Sequence, residues 1–389
     1  DVRLTPTSFL LDKQGRIVKK YVGAPDFDAY ARLVGELLAE ALSNCAREPI
    51  HQIGTIQPGG VLVALRQTDL VVHSVSANVG DLFDFTPDAV LGQSLDHLIG
   101  EASAAAFREL IAQGKDLDAL HWSIAIARPS GEARFDAQVF LAGGLWIIEI
   151  ECQPPALSDP FYDVFIPIRD ALWKLDSEMD LQRYTQAVVD QVRVLTDFDR
   201  VMMYRFDSNW DGEVVAEAKG DGVGSYLGNR FPASDIPAQA RELYVRNLVR
   251  LLADVEAMAV PLLVNHDPTT GQPVDLSLSW FRSMSLVHTE YLRNMGVRAS
   301  LSISLVQNGR LWGLIACHHL SPKYVSLRAR EQDEFIGRVV SLKLTNMDDR
   351  ERGDLNRRSR DVLFELIELI RHSMIPPDTA IVSLQIGRA

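Results

Sequence analysis

The chain has 389 residues, 47% hydrophobic and 23% charged, which supports two or three domains with ample cores and excludes a disordered polymer. A formal net charge of −13 argues against a general grip on nucleic acid or an anionic membrane; no apolar run approaches the roughly 20 residues that span a bilayer, and no signal peptide opens the chain. Three mutually distant cysteines, Cys45, Cys152 and Cys317, exclude a disulfide scaffold and a C-x-x-C redox or zinc pattern, and a cytoplasmic location is expected.

Ser8–Leu11 and Ile17–Val22 read as strands around the turn Asp12-Lys13-Gln14-Gly15. Tyr30, Leu33, Val34, Leu37, Leu38 and Leu42 then recur at helical spacing. This strand–strand–helix order over residues 1–44 resembles the C-terminal end of a thioredoxin-like domain, with Thr5-Pro6-Thr7 at its cis-proline turn. The active-site cysteines of that family are missing, so the segment reads as a non-catalytic remnant; a plain N-terminal helix with a lead-in is the simpler alternative.

Residues 45–155 form a second unit. Gly59-Gly60 precedes the apolar run Val61–Leu65, which pairs with Leu70–Val75 across Arg66–Asp69. Short helices follow around 87–113. His121–Ala127, Phe135–Leu141 and Leu145–Glu151 are strands separated by Pro129-Ser130-Gly131 and Gly143-Gly144. Two strands, small helices and three strands make an antiparallel α+β sheet of PAS type.

Pro154-Pro155 to Asp159-Pro160 marks a linker. An amphipathic helix is predicted over Ile166–Thr196, with Ile168, Leu172, Leu175, Leu181, Val188, Val192 and Leu195 on its stripe. Strands are predicted at Arg200–Phe206, Glu213–Ala218, Ser300–Gln307 and Gly309–Cys317, around a long 219–299 insertion of short helices. A helix at Glu331–Asn346 closes the unit, which spans 160–346 and is of GAF type. In 347–389 a charged helix runs from Asp348 to His372, with Pro376-Pro377 as its stop. Its stripe, and those of the two preceding helices, fit either a parallel dimer or ordinary core packing.

The densest chemistry lies in 200–320. In Phe231-Pro232-Ala233-Ser234-Asp235-Ile236-Pro237 two prolines hold one carboxylate on a rigid loop, unless Asp235 merely caps the helix beginning at Ala238. Met202 and Tyr204 share one strand face, as do Ser300 and Ser302; the serines meet a ligand or simply face water. His288 and Tyr291 share one helix face. Alternation turns one of His318-His319 inward, where it is either a core residue or a ligand contact. Arg241, Arg246, Arg250 and Arg282 suit bidentate carboxylate binding, though helical arginines are commonly solvated. No H-E-x-x-H, G-x-S-x-G or phosphate-binding glycine loop appears, which disfavours an enzyme.

These residues carry a resemblance. Cys45-Ala46-Arg47-Glu48-Pro49-Ile50-His51 with Gly54-Thr55-Ile56-Gln57-Pro58-Gly59-Gly60, Asp199-Arg200-Val201-Met202, the Asp235 loop, Tyr291–Val297 and Trp312–His319 resemble, in order, the motifs of bacterial phytochromes. The resemblance covers about 45–345. It implies a PAS domain followed by a GAF domain, with the segment around Ile56 knotted through the insertion. It also implies a red/far-red photoreceptor whose linear tetrapyrrole isomerises at the bridge between rings C and D and signals to an output domain. Many relatives carry a cysteine just before the histidine at 288. Val287 stands there instead, so Cys45 is the expected thioether anchor and biliverdin the expected pigment.

Carried over by position, the backbone of Asp235 and its neighbour Ile236 would face the pyrrole N–H groups, and His288 would reach them through water. His318 would donate to the D-ring carbonyl. Met202, Tyr204, Phe231 and Tyr291 would line the D-ring cavity, while Tyr244, Arg250, Arg282, Ser285, Ser300 and Ser302 would hold the propionates. Cys152 and Cys317 read as packing residues. The helix stripes make a homodimer through GAF and linker helices the expected assembly, with core packing as the alternative, and the charge balance leaves neither nucleic acid nor membrane as an expected partner. Two departures stand out. Gly59 replaces a histidine common in the family, so the threading turn should differ. The stretch after 347 reads as the start of a third sensory domain too short to supply its tongue, so incomplete photoconversion and some fluorescence are expected. A pigment-free PAS–GAF ligand sensor or interaction module is the alternative.

Overall fold

The computed structural model describes residues 7–11, 17–22, 48–112, 119–128, 131–152 and 180–347. The helix read at 30–42, Cys45, the proline linker and the helix read from 348 lie outside them. At the N-terminus β1 (Thr7–Leu11) and β2 (Ile17–Val22) pair antiparallel, as the turn between them suggests.

The next unit is built on β3 (Thr55–Ile56), β4 (Gly60–Arg66), β5 (Val72–Ser76), β6 (Leu120–Arg128), β7 (Gly131–Ala142) and β8 (Leu145–Glu151). Between β5 and β6 stand α1 (Gly80–Phe83), α2 (Pro87–Val90), α3 (Leu95–Ile99) and α4 (Glu101–Ala112). β5 starts two residues later than the pattern predicts, because Leu70 closes the turn with a left-handed φ of 56°. β4 from Val61 to Leu65 reads as an unbroken apolar run, and β8 is buried along its whole length with Glu149 and Glu151 included, because both of their faces are covered. Val61, Val63 and Leu65 pack under the helices with Phe107, while Leu62, Ala64 and Ile147 pack against Val274, Leu276 and Phe281 of the distant insertion.

The second unit opens with α5 (Leu181–Thr196). The helix predicted over Ile166–Thr196 does not run through Asp180, which is extended (φ −68°, ψ 165°) and whose carboxylate accepts from the Arg183 N–H at 2.8 Å as an N-cap; its predicted part at 166–179 lies outside the described residues. β9 (Arg200–Phe206), β10 (Gly212–Lys219), β14 (Ala299–Gln307) and β15 (Arg310–His319) follow the predicted strands closely. Residues 327–347 form the closing helix, α8.

The insertion is richer than a run of short helices. Besides α6 (Ala238–Arg246) and α7 (Leu286–Asn294) it contributes β11 (Arg230–Phe231), β12 (Val249–Leu252) and β13 (Val260–Leu263). Strands this short have no local signal, since their partners lie far away in sequence. β11 and β12 become the edges of a six-stranded sheet of order β11-β10-β9-β15-β14-β12. β13 leaves its own unit and enters the first one, giving a seven-stranded sheet of order β3-β13-β5-β4-β8-β7-β6.

Residues 55–57 lie deep in this junction. Ile56 is fully buried, opposite Val260 and bridged to Arg282. The Gln57 N–H donates to the Phe281 carbonyl (2.7 Å), and its side-chain amide donates to Leu251 and accepts from the Ala253 N–H. Gly59 lies against Tyr324: a Cβ there would stand 2.8 Å from the ring, so a histidine would require that ring to move.

Candidate functional site

Antiparallel register divides the six-stranded sheet into two faces. On one, Val201, Met203, Leu301, Ile303, Ile315 and Cys317 pack against α5 and α8 as a dry core. Burial drives the Cys317 thiol pKa well above its ordinary value, so this thiol is an inert packing group, as expected. Cys152 packs against the edge of the first unit's core.

The opposite face holds Arg200, Met202 and Tyr204 on β9, His318 and Ala316 on β15, Ser300 and Ser302 on β14, and Arg250 on β12, all in cross-strand register. Ser300 stands opposite His318, and Ser302 lies between Ala316 and Arg250. The serines therefore face inward. His318 is the inward histidine; His319 turns away and pairs with Asp199 at 2.9 Å.

Above this face lies a cavity of about 250 Å³. Its lining includes Asp235, Ile236, Tyr244, Arg250, Arg282, Ser285, His288 and Tyr291. Glu48 and Ile50 complete one wall. Met202, Tyr204 and Phe231 form an adjoining apolar cluster with Leu311 and Leu314, against which Ile236 and Tyr244 pack. The cavity and its cluster hold most of the described residues singled out from sequence; Ser300, Ser302 and His318 stand on the sheet face beside them, and Arg246 lines a separate pocket with His121 and Trp280. Cys45 lies outside the described residues, three positions before the lining residue Glu48. Three extended residues reach about 10 Å.

Each functional group has a local cause. Pro237 starts α6 with no side-chain cap, so Asp235 does not cap that helix; its carboxylate instead accepts from the Tyr291 hydroxyl at 3.4 Å. Burial raises the Asp235 pKa, and the same neighbourhood pushes the Tyr291 phenol up to about 12. Ser285 N-caps α7 by accepting from the His288 N–H, which fixes the first turn and lays the His288 ring over that of Tyr291. Burial and the nearby Arg250 charge lower the His288 pKa to about 4. Burial, Arg200 and His288 lower that of His318 to about 3. Both rings are therefore neutral at neutral pH. His318 Nδ1 is buried and has no hydrogen-bond partner among the described residues.

Arg250 and Arg282 are 4% and 5% exposed. Arg250 donates to the carbonyls of Ser279, Trp280, Arg282 and Ser283, and Arg282 donates to the Ile50 carbonyl at 2.8 Å. Among the described residues no carboxylate pairs with either. Burial lowers both pKa values, that of Arg282 to about 10. The Nε of each guanidinium is buried without a hydrogen-bond partner among the described residues, so both arginines keep a charged donor that an anionic group could meet.

Sequence reasoning offered Arg241 for carboxylate binding, whereas it holds backbone carbonyls, and missed Asp211 and Gly212. Arg241 donates to the Ile236 carbonyl (2.6 Å) and to that of Ala233 (3.2 Å), while Asp211 accepts from the Ala233 N–H at 2.9 Å. Together they hold the Asp235 loop. Gly212 lies directly under the Tyr204 ring, where a Cβ would come within 1.8 Å of Cζ. A polar residue i+5 from a carbonyl-rich loop was the available signal for Arg241. Gly212 gave none beyond a turn glycine.

The family description "PAS fold" matches residues 45–153, and "GAF domain" matches 180–341. Cyanobacterial phytochrome B of a Nostoc species is 40% identical over 311 residues, covering 80% of this chain and 41% of that protein. A bacteriophytochrome of Pseudomonas aeruginosa is 36% identical over 363 residues, covering 88% and 48%. The chain thus spans less than half the length of these curated relatives. Among solved structures, the chromophore-binding domain of an unusual R. palustris bacteriophytochrome superimposes with a TM-score of 0.72 at 37% identity, covering 79% of this chain and 99% of that one. The wild-type chromophore-binding domain of Stigmatella aurantiaca phytochrome P1 gives 0.69 at 40% identity, covering 76% and 98%. The chain belongs to the phytochrome family and carries its PAS–GAF arrangement.

Proposed function

We propose that this chain is the light-sensing part of a photoreceptor that binds biliverdin through Cys45 and passes a red/far-red signal to a downstream output domain. The observation that carries the reading is the cavity itself: Arg250 and Arg282, both buried and without an anion, line it, and His318, neutral and with an unpaired nitrogen, stands on the same sheet face as Arg250. An elongated ligand with two carboxylates at its middle and a carbonyl at one end complements that set.

When bound, the bilin supplies visible absorption and isomerisation at the bridge between rings C and D. The protein's residues do the rest. Cys45 would anchor it, its S–H adding across the A-ring vinyl group with no leaving group. Arg250, Arg282, Ser285, Ser300, Ser302 and Tyr244 would hold the propionates. The Asp235–Ile236 backbone and His288 would face the pyrrole nitrogens, and the neutral His318 ring would donate to the D-ring carbonyl. Met202, Tyr204, Phe231 and Tyr291 would bound the space around that ring.

We assign residues 1–44 to an N-terminal extension, 45–155 to PAS, 160–346 to GAF and 347–389 to a linker helix entering a third domain. The contacts of residues 55–57 with 251–253 and 281–283 support the knotted connection. Val194 and Leu342, 73% and 65% exposed on α5 and α8, support a homodimer through these helices. Among the described residues no helix is long and apolar enough to cross a membrane.

The test is an absorbance spectrum of recombinant protein with biliverdin, before and after red light. A red-absorbing band that bleaches on illumination is expected. Absence of any visible band returns the chain to the pigment-free sensor class. Cys45→Ser should abolish zinc-enhanced bilin fluorescence on a denaturing gel; covalent pigment persisting there would move the attachment elsewhere.

A further inference from the structure

We propose that Glu149, on β8 of the PAS sheet, is a positioning residue for anionic ligand groups in the GAF cavity; the inference rests on the bilin reading above. Glu149 is fully buried. One carboxylate oxygen accepts from the Trp280 N–H at 2.8 Å, the other from the Phe281 N–H at 3.3 Å and from the Ser279 hydroxyl. Ser279 Oγ in turn accepts from the Arg282 N–H at 2.7 Å.

On the far side of the same turn stands Arg250. Its Nη1 donates to the Ser279 carbonyl (3.3 Å) and to the Trp280 carbonyl (3.4 Å). The Ser279 carbonyl and the Trp280 N–H belong to one peptide group; the Trp280 carbonyl and the Phe281 N–H belong to the next. Both peptide groups are therefore held with N–H toward a carboxylate and C=O toward a guanidinium. Their dipoles are aligned between the two charges, and each charge stabilises the other through them. Burial raises the Glu149 pKa, and the three donors converging on its carboxylate, with no acceptor facing it among these contacts, oppose that rise by favouring the ionised form. Phe281 is packed over Gly60, where a Cβ would meet the ring at 2.5 Å, and Arg330 lies 5.0 Å from the Trp280 and Phe281 rings, so the turn has little freedom to reorient.

A ligand carboxylate arriving at Arg250 meets a guanidinium that Glu149 has already partly compensated and fully oriented. Glu149 thus sets how much the pocket gains from an anionic ligand group, from a different domain and without touching the ligand.

The experiment compares biliverdin with its dimethyl ester, in a Cys45→Ser background so that binding is reversible, by fluorescence-quench titration of the full chain. The wild-type Glu149 protein should prefer the diacid. Glu149→Gln keeps shape and one acceptor but removes the charge, and should change that diacid-to-diester preference by about fivefold to tenfold, upward, because the guanidinium is left with less compensation. A general loosening of the fold would weaken both ligands together and leave the ratio unmoved. If Glu149→Gln does not fold, Ser279→Ala weakens the same carboxylate contact and should move the ratio in the same direction by less. A ratio unchanged or lowered in the variant overturns the proposal, as does a wild-type protein that binds both forms equally. Failure of the wild type to bind either form would instead overturn the bilin reading.

Discussion

The two faces of the six-stranded sheet come from the same strands and have opposite characters. The α5–α8 face is filled by Val201, Met203, Ile303, Ile315 and Cys317, all at 0% exposure. The other face carries Arg200, Arg250, Ser302 and His318, each below 9% exposure, with polar atoms that the protein itself leaves only partly satisfied. One face is optimised for packing. The other keeps buried polar groups in place for something else to complete, at a cost in stability that the first face must offset.

Adjacent residues on β14 give the sharpest contrast. Ile303→Ala, on the dry face, should lower unfolding stability by about 3 kcal/mol, with pigment affinity retained by whatever fraction stays folded. Urea titration alongside bilin titration measures both. A loss of affinity with little loss of stability would erase the distinction.

The cavity face predicts an acid limb. His288 and His318 have folded-state pKa values of about 4 and about 3, below the ordinary 6.5. The unfolded chain therefore binds more protons across that window, so their contribution to stability is present above pH 6.5 and lost as pH falls toward 3. In the pigment-free protein, melting temperature should fall over this range. The double variant His288→Ala with His318→Ala should flatten that limb; an unchanged limb would assign it to other groups.

Gly212→Ala probes the seat of Tyr204. Its Cβ would displace the ring, costing about 1–3 kcal/mol and shifting the pigment band, because the space around the turning ring changes. An unshifted band would separate Tyr204 from that space. Ser302→Ala should have the smallest effect: its hydroxyl reaches the Arg250 carbonyl at only 3.5 Å, so stability should change by under about 1 kcal/mol while diacid affinity falls a few-fold. An affinity loss equal for diacid and diester would remove Ser302 from the carboxylate site.

Much of this was legible in the sequence. β8 and β9 occupy the predicted residues because their short apolar runs and bounding turns are local signals. Ser300, Ser302, Met202 and Tyr204 could be placed on shared faces for the same reason. The helix read through 166–196 failed at Asp180, where one cap overrode a continuous apolar stripe. β12 and β13 were invisible because a four-residue strand is defined by its partner, here Ser300–Ile303 for one and residues 55–56 and 75–76 for the other. The counter-charge of the pocket was hidden too: Glu149 and Arg250 are 101 positions apart, and only the fold puts one turn between them.

β13 has a consequence for how the chain can be divided. It sits between β3 and β5, so the PAS sheet is completed by residues that follow it by more than a hundred positions. A fragment ending near residue 152 would leave the β5 edge unpaired, a template for adhesion between copies. Both units should therefore melt in one transition, and a protease cut between them should leave a nicked but associated pair. During synthesis the first sheet must wait, one strand short, until the second domain has emerged.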